Sequence, residues 1–189
     1  MALIETLFRL ANEIDAREEY TSNHSKKVAE FATEIAQKLG YSPEGIERIR
    51  TAALLHDIGK IGLKTSDKLL SDSDPEWQRI RAHPYIAVVM LRHVDGLEEC
   101  IPAIHHHHER YDGTGYPDQL KGEDIPLDAR ILAVADALDA MTSPRPYRAA
   151  YSLEEVLDYI ARTAGSHFDP NVANAFLSVT PTGTVDSTV

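Results

Sequence analysis

Two apolar stretches of this chain carry ionisable side chains where a core should be. In AALLHDIGKIGL, residues 52–63, the interruptions are His56, Asp57 and Lys60; in ARILAVADALDAM, residues 129–141, they are Asp136 and Asp139. An ionised carboxylate buried without a partner costs on the order of several kcal/mol even after relaxation. A fold that buries these stretches must therefore supply compensating charge. Pairing each acid with a histidine or lysine across helices is one solution, and a shared dication is another.

The surrounding pattern is helical almost throughout. Leu3, Ile4, Leu7, Leu10, Ala11 and Ile14 form an apolar stripe over residues 2–17, and Val28, Phe31, Ala32, Ile35, Ala36 and Leu39 form a second. Thr21 or Ser22 can cap that second helix, and Gly40 stops it. Ser42-Pro43-Glu44 places a capping hydroxyl, a first-turn proline and an acid at a helix start that leads to His56-Asp57. Asp74-Pro75-Glu76 repeats the signal, and His83-Pro84 precedes a helix through Leu91. Residues 97–108 read as helix interrupted by Pro102, and a polar loop follows from Glu109 to Asp124. Pro126 opens an apolar helix to about Met141, which Ser143-Pro144-Arg145-Pro146 breaks. Ser152 and Asp169-Pro170 start the last two helices. No alternating strand pattern is convincing and no repeat is evident. The expectation is an all-α fold, a single compact helical bundle over residues 1–179 with a central metal site, followed by a flexible tail at 180–189.

Composition narrows the partners. With 19 basic and 30 acidic residues the net charge is −11, which disfavours long duplex nucleic acid. A small phosphorylated ligand remains compatible, because charge is screened over about 8 Å at physiological salt. The start of the chain carries Glu5 and Arg9 rather than a leader pattern, no stretch approaches the roughly 20 apolar residues of a membrane span, and Cys100 is the single cysteine. These features point to the cytoplasm.

His24, His56, Asp57, His83, two or more of His105 to His108, and Asp136 are spread over five helical segments. Imidazole and carboxylate suit iron, manganese or zinc, and helical bundles build metal sites from such inward-facing groups. His24 sits near the apolar edge of its helix. About seven nitrogen and oxygen ligands exceed the needs of one ion, so two ions sharing a carboxylate fit better. Helical residues lie about 100° apart, so four consecutive histidines cannot all face one cavity. Spacing slightly favours His105 with His108; His107 with His108, addressing a cavity from a helix end, is the other arrangement.

The segments HDIGK (His56–Lys60), His83-Pro84, HHERYDGTGYP (His107–Pro117), IPLDARILAVADALDAMTSPRPYR (Ile125–Arg148) and FDP (Phe168–Pro170) resemble the HD-GYP family, from Tyr20 to about Val179. The resemblance implies a helical domain with a bi- or trinuclear centre that hydrolyses cyclic di-GMP to linear pGpG, GMP or both through a metal-bridging hydroxide. It assigns one ion to His24, His56, Asp57 and Asp136, and a second to Asp57 as bridge, His83, His107 and His108. His105 and His106 are left as polar residues without a metal role. Trinuclear members have a glutamate four residues before the first histidine ligand; Tyr20 stands there, which favours two divalent ions. Iron or manganese is expected, with zinc, nickel or cobalt as substitutes on purification.

By the same resemblance Lys60 binds the scissile phosphate, against a plain ion pair with Asp57 or Asp139. Arg145 and Arg148 suit bidentate contact with phosphate or a guanine edge; surface pairing with acids is the alternative. Asp112 and Tyr116 would shape the pocket wall and touch bases, or simply brace a loop in which Gly113 and Gly115 permit positive φ and close backbone approach. Asp139 would orient Lys60 or the substrate. His93 and His167 have no motif support as ligands; His167, just before Phe168-Asp169-Pro170, is expected to be exposed, with a place near the pocket as the alternative, and Trp77 is expected to pack. The chain departs from the family in a shorter loop over residues 61–77 and in Ala87, where glycine is common. A related substrate, 3′,3′-cyclic GMP-AMP, stays open. So do a non-catalytic dinucleotide-sensing or protein-interaction module and an HD-type nucleotide phosphohydrolase. Family members are commonly attached to signalling domains, and self-association is left open by the sequence.

Overall fold

The computed structural model describes residues 2–17, 23–63, 73–145 and 148–179. Among them lie nine α-helices: α1 (Ala2–Arg17), α2 (His24–Lys38), α3 (Pro43–Leu55), α4 (Pro75–Ile80), α5 (His83–Leu91), α6 (Ile101–His106), α7 (Leu127–Thr142), α8 (Leu153–Thr163) and α9 (Pro170–Val179). Short 3-10 turns cover Ile58–Lys60 and Gly122–Asp124. The described residues contain no strand, and the architecture is an all-α HD-type bundle. No described helix is long and apolar enough to cross a membrane.

The helix boundaries follow local chemistry. Ser42 Oγ accepts from Gly45 N at 3.2 Å, and Pro43 occupies the first turn of α3. Gly40 ends the preceding helix at φ +79°, donating to Gln37 O while Tyr41 N reaches Ala36 O. Ser152 and Glu155 form a capping box at α8, and Asp169 caps α9 by accepting from Asn171 N. Ahead of α2 the residue described is Asn23, at φ 66°; the expected Thr21 or Ser22 cap lies outside the described residues, as do Tyr20 and the tail at 180–189.

One helix is shorter than its sequence suggests. Residues 97–108 do not form an interrupted helix: α6 begins at Ile101 and ends at His106. Pro102 starts it rather than breaking it, because a first-turn residue has no intrahelical N–H bond to lose.

The apolar stripes of α2, α3 and α7 meet in a core that includes Val28, Ile35, Ile49, Leu55, Leu132 and Val134, all fully buried. Around this layer α1 leans on α2 and α3, α5 and α6 pack together, and α8 and α9 close against α7. Two ionic staples hold the periphery. Asp128 accepts from Tyr41 Oη at 2.7 Å and Arg48 Nε at 2.8 Å, and Arg130 pairs with buried Asp169. The 3-10 turn at Ile58–Lys60 packs on α5 so closely that a Cβ at Gly59 would lie 2.0 Å from His83 O. This contact seats His56-Asp57 beside His83.

Candidate metal centre and adjoining cleft

Five parts of the fold deliver ionisable groups to one buried spot. His24 comes from the first turn of α2, His56 and Asp57 from the end of α3, and His83 from the start of α5. His107 and His108 follow α6, and Asp136 comes from the middle of α7. One donor atom each from Asp57, His83, His107 and His108 falls within 4.8 Å of the others, and the same holds for His24, His56 and Asp57. Asp57 is common to both groups. Asp136 joins beside His24, its Oδ1 3.3 Å from His24 Nε2.

The end of α6 decides the histidine run. Beyond His106 the chain is in a turn, so the helical face relation no longer applies. His107 and His108 have ring centroids 4.0 Å apart and both stand over His83. His105 and His106 lie apart from these groups, near Asp118. The slight preference that spacing gave to His105 with His108 therefore fails.

Backbone carbonyls set the rings. His56 Nδ1 donates to Ala53 O at 2.7 Å, His83 Nδ1 to Ile80 O at 2.6 Å and His107 Nδ1 to Ile104 O at 2.7 Å. With Nδ1 as the donor, each ring turns its Nε2 inward, where the neutral form of imidazole carries a lone pair. His83 Nε2 then faces His107 Nε2 at 3.3 Å, acceptor against acceptor, and buried His56 Nε2 and Asp57 Oδ1 have no hydrogen-bond partner. A cation between them resolves all of these defects. An N–N separation of about 3.3 Å is also the tetrahedral edge for metal–nitrogen bonds of about 2.0–2.1 Å. The residues present fit a divalent transition-metal centre.

Electrostatics agree with that fit. Burial lowers the pKa of His107 well below the usual imidazole value, and burial with His83 nearby takes His108 down to about 3. Both are neutral donors at pH 7. Burial works against the charge on Asp57 and Asp136, yet Lys60 and the imidazoles around Asp57, and His24 beside Asp136, hold both well below the carboxylate range. His24 is the exception among the rings. Burial disfavours its charge, but Asp136 and Asp139 outweigh this and raise it to about 10.

Beside the cluster lie a cavity of about 180 Å³ and a larger one of about 540 Å³. Trp77, His108, Tyr116, Asp136 and Ala140 line both. Lys60 and Arg145 line the smaller. Lys60 Nζ sits 2.6 Å from Asp57 Oδ2, so the plain ion pair and a position at the cleft coexist. Tyr116 stacks on His108 with centroids 4.9 Å apart, and Arg81 lies 4.6 Å over the tyrosine ring. Gly115 allows this loop to fold back, since a Cβ there would meet Arg110 N at 2.3 Å.

Several residues stand elsewhere than the sequence suggested. Asp139 is buried behind the cluster: it accepts from His24 Nδ1 at 2.7 Å and pairs with Lys27 Nζ at 3.2 Å, so it orients His24 rather than Lys60 or a substrate. Arg148 donates to Ala140 O at 2.8 Å and packs its guanidinium over Tyr151, which makes it a cap on the C-terminal end of α7. Asp112 is held within its own loop by Thr114 and Arg110. His93 is exposed, but His167 lines the larger cavity, stacked on Phe168 and bonded to Tyr159 Oη at 3.0 Å. Trp77 forms cavity wall, and its buried Nε1 has no partner.

Two polar residues escaped the sequence reading. Asp15 accepts from Ser25 N at 2.9 Å and lines the smaller cavity, tying α1 to the start of α2. Its signal was an acid next to Ile14 on the apolar stripe of α1. Buried Glu109 accepts from Asp118 N at 2.7 Å and pins the loop that carries Tyr116.

A helical bundle that gathers histidines and aspartates around one shared acid has the architecture of an HD-type protein with a candidate metal site. A family profile described as an HD domain matches residues 9–172, and the chain belongs to that family, within it to the HD-GYP proteins. The chain is 41% identical over 177 residues to the cyclic di-GMP phosphodiesterase response regulator RpfG of Xanthomonas campestris, covering 92% of this chain and 47% of the relative. It is 36% identical to 3'3'-cGAMP-specific phosphodiesterase 3 of Vibrio cholerae, covering 83% and 35%. Among solved structures, a cyclic GMP-AMP-specific phosphodiesterase of Vibrio cholerae shares the fold at a TM-score of 0.74 and 22% identity, over 94% of this chain and 48% of that one. The chain thus spans about half the length, or less, of these relatives.

Proposed function

We propose that this domain is a metal-dependent phosphodiesterase that opens a cyclic dinucleotide, cyclic di-GMP first and 3′,3′-cyclic GMP-AMP second, to linear pGpG, GMP or both. The observation that carries the reading is the sharing of Asp57 by two ligand groups directly beside a cleft that also holds Lys60. The names of the relatives support the substrate class.

In this reading His24, His56, Asp57 and Asp136 hold one divalent ion, and Asp57, His83, His107 and His108 hold the other, with iron or manganese favoured by the donor set. When bound, two such ions lower the pKa of water toward about 7 and neutralise charge on a phosphoryl oxygen. The protein does the rest. Ala53 O, Ile80 O, Ile104 O and the Asp139 carboxylate fix the ring orientations, as outer partners of metal-binding histidines do. Lys60 exchanges its contact with Asp57 for the scissile phosphate and offsets charge growing there. Arg145, on the same wall, meets the second phosphate. Tyr116, held between His108 and Arg81, forms with Trp77 the wall of the larger cavity against which a base would lie. Residues 1–179 would form this catalytic domain, acting in the cytoplasm under the control of partner signalling domains or of self-association.

Anaerobic purification with elemental analysis, followed by chromatography of products from cyclic di-GMP and cyclic GMP-AMP, tests the reading. About two transition-metal ions per chain and linear product from substoichiometric protein are expected. Binding without turnover would leave a sensing module, and preference for deoxynucleoside triphosphates would replace the substrate class.

A further inference from the structure

The histidine run leaves two rings that the central site does not use. His106 has Nδ1 2.9 Å from Pro102 O and Nε2 3.0 Å from Asp118 Oδ2. The His105 ring lies 4.6 Å from that of His106, and one donor atom each from His105, His106 and Asp118 falls within 4.8 Å of the others. Pro102 O can only accept, so His106 Nδ1 carries the hydrogen of that bond and Nε2 is aimed at Asp118.

A positive charge between Nε2 and Oδ2 satisfies both atoms. A proton there would make an ordinary surface ion pair and would give His105 no part in the cluster. A metal ion engages all three side chains. Like His56, His83 and His107, His106 has Nδ1 on a backbone carbonyl of the preceding turn, four residues upstream here and three there, with Nε2 directed at other donor side chains. The 3.0 Å separation is close to the edge of about 3.3 Å in a tetrahedral zinc site. The side chain of Asp118 is 53% exposed and free to adjust toward the third donor.

We infer that His105, His106 and Asp118 form a peripheral site for a borderline transition-metal ion, zinc, nickel or copper, with water completing its coordination. The ion fastens the end of α6 to the loop that carries Tyr116, two residues before Asp118. It therefore ties the outer face of the histidine run to the wall of the cleft. It also adds to any metal count. A third ion found by elemental analysis need not belong to the central cluster.

The test is zinc titration by calorimetry into the protein already loaded with its central ions, for wild type, D118N and H106Q, with those ions counted before and after. The expected result is one further zinc per chain at micromolar affinity in wild type, weakened tenfold or more in both variants, with magnesium giving no heat. The inference is overturned if wild type takes up no further ion, or if either variant binds zinc as wild type does. It is equally overturned if uptake matches release of the central ions, or if magnesium competes equally. D118N keeps the test decisive should H106Q fold poorly. Neither arm depends on turnover, so a failed phosphodiesterase assay leaves the result readable.

Discussion

His83 and His107 present the same ring nitrogen to each other, Nε2 to Nε2 at 3.3 Å, while each Nδ1 is bonded to a carbonyl three residues upstream. The protein alone cannot satisfy that arrangement without adding a proton, and burial keeps His107 neutral. The helix starts and ends thus place lone pairs in opposition, with Asp57 Oδ1 3.2 Å from His83 Nε2.

Asp57 is the shared acid, so its replacement removes a ligand from both groups at once. Asp57→Ala is expected to leave less than one ion per chain and to lower turnover by about a thousandfold or more. Elemental analysis and single-turnover assays check this, and retention of either metal or activity would contradict the bridging role.

Asp139 touches the centre only through His24 Nδ1. Asp139→Asn keeps the shape but weakens the acceptor, and removal of such an outer partner costs about 10- to 100-fold in metal affinity. Chelator competition should show this loss with little change in KM for substrate once the metal is saturating.

Arg145 and Arg148 should separate cleanly. Arg148→Ala uncaps α7 and should lower Tm by about 2–4 °C, equivalent to about 1 kcal/mol, with KM unchanged. Arg145→Ala should raise KM about tenfold or more, since its side chain lines the cavity. Equal effects of the two on KM would refute the division.

Gly59 admits no side chain, because its Cβ would overlap His83 O and Ala87 N. Gly59→Ala is expected to cost about 1–3 kcal/mol in chemical denaturation. It should also lower metal occupancy by displacing His83, whereas Gly62→Ala, which has open space but a φ of +75° that strains an alanine, should cost some stability and leave metal occupancy untouched.

His167 gives an acid limb to stability. Burial, with the Arg110 charge nearby, lowers its pKa from 6.5 to about 4. Between those values the unfolded chain binds the proton more readily, so stability is full above pH 6.5 and falls as pH drops toward 4. The loss is about 1–2 kcal/mol once partial exposure is allowed for. Denaturation midpoints of wild type and His167→Phe across this range should converge as pH falls; parallel curves would remove the assignment.

Much of the site was legible because burial of charge is costly. His56, Asp57 and Asp136 stood out as ionisable groups in apolar runs, and the HHERYDGTGYP signature singled out His107 and His108 where helical spacing pointed elsewhere. Asp139 carried the same signal but a different use, since sequence cannot say whether a buried acid faces a cleft or the back of an imidazole. Arg148 looked like a phosphate ligand because guanidinium chemistry serves a helix end equally well. His167 looked exposed because nothing local records that Tyr159 and Phe168 enclose it.

The sequence by itself determined the helices, through apolar period and capping residues that act within a few positions, and it determined which side chains needed compensation. Only the tertiary structure decided what compensates them. Where α6 ends, how closely Gly59 lets the 3-10 turn at Ile58–Lys60 approach α5, and which nitrogen of each ring faces inward are set by contacts between segments far apart in the chain. Ligand geometry is a long-range property, and local propensity carries no record of it.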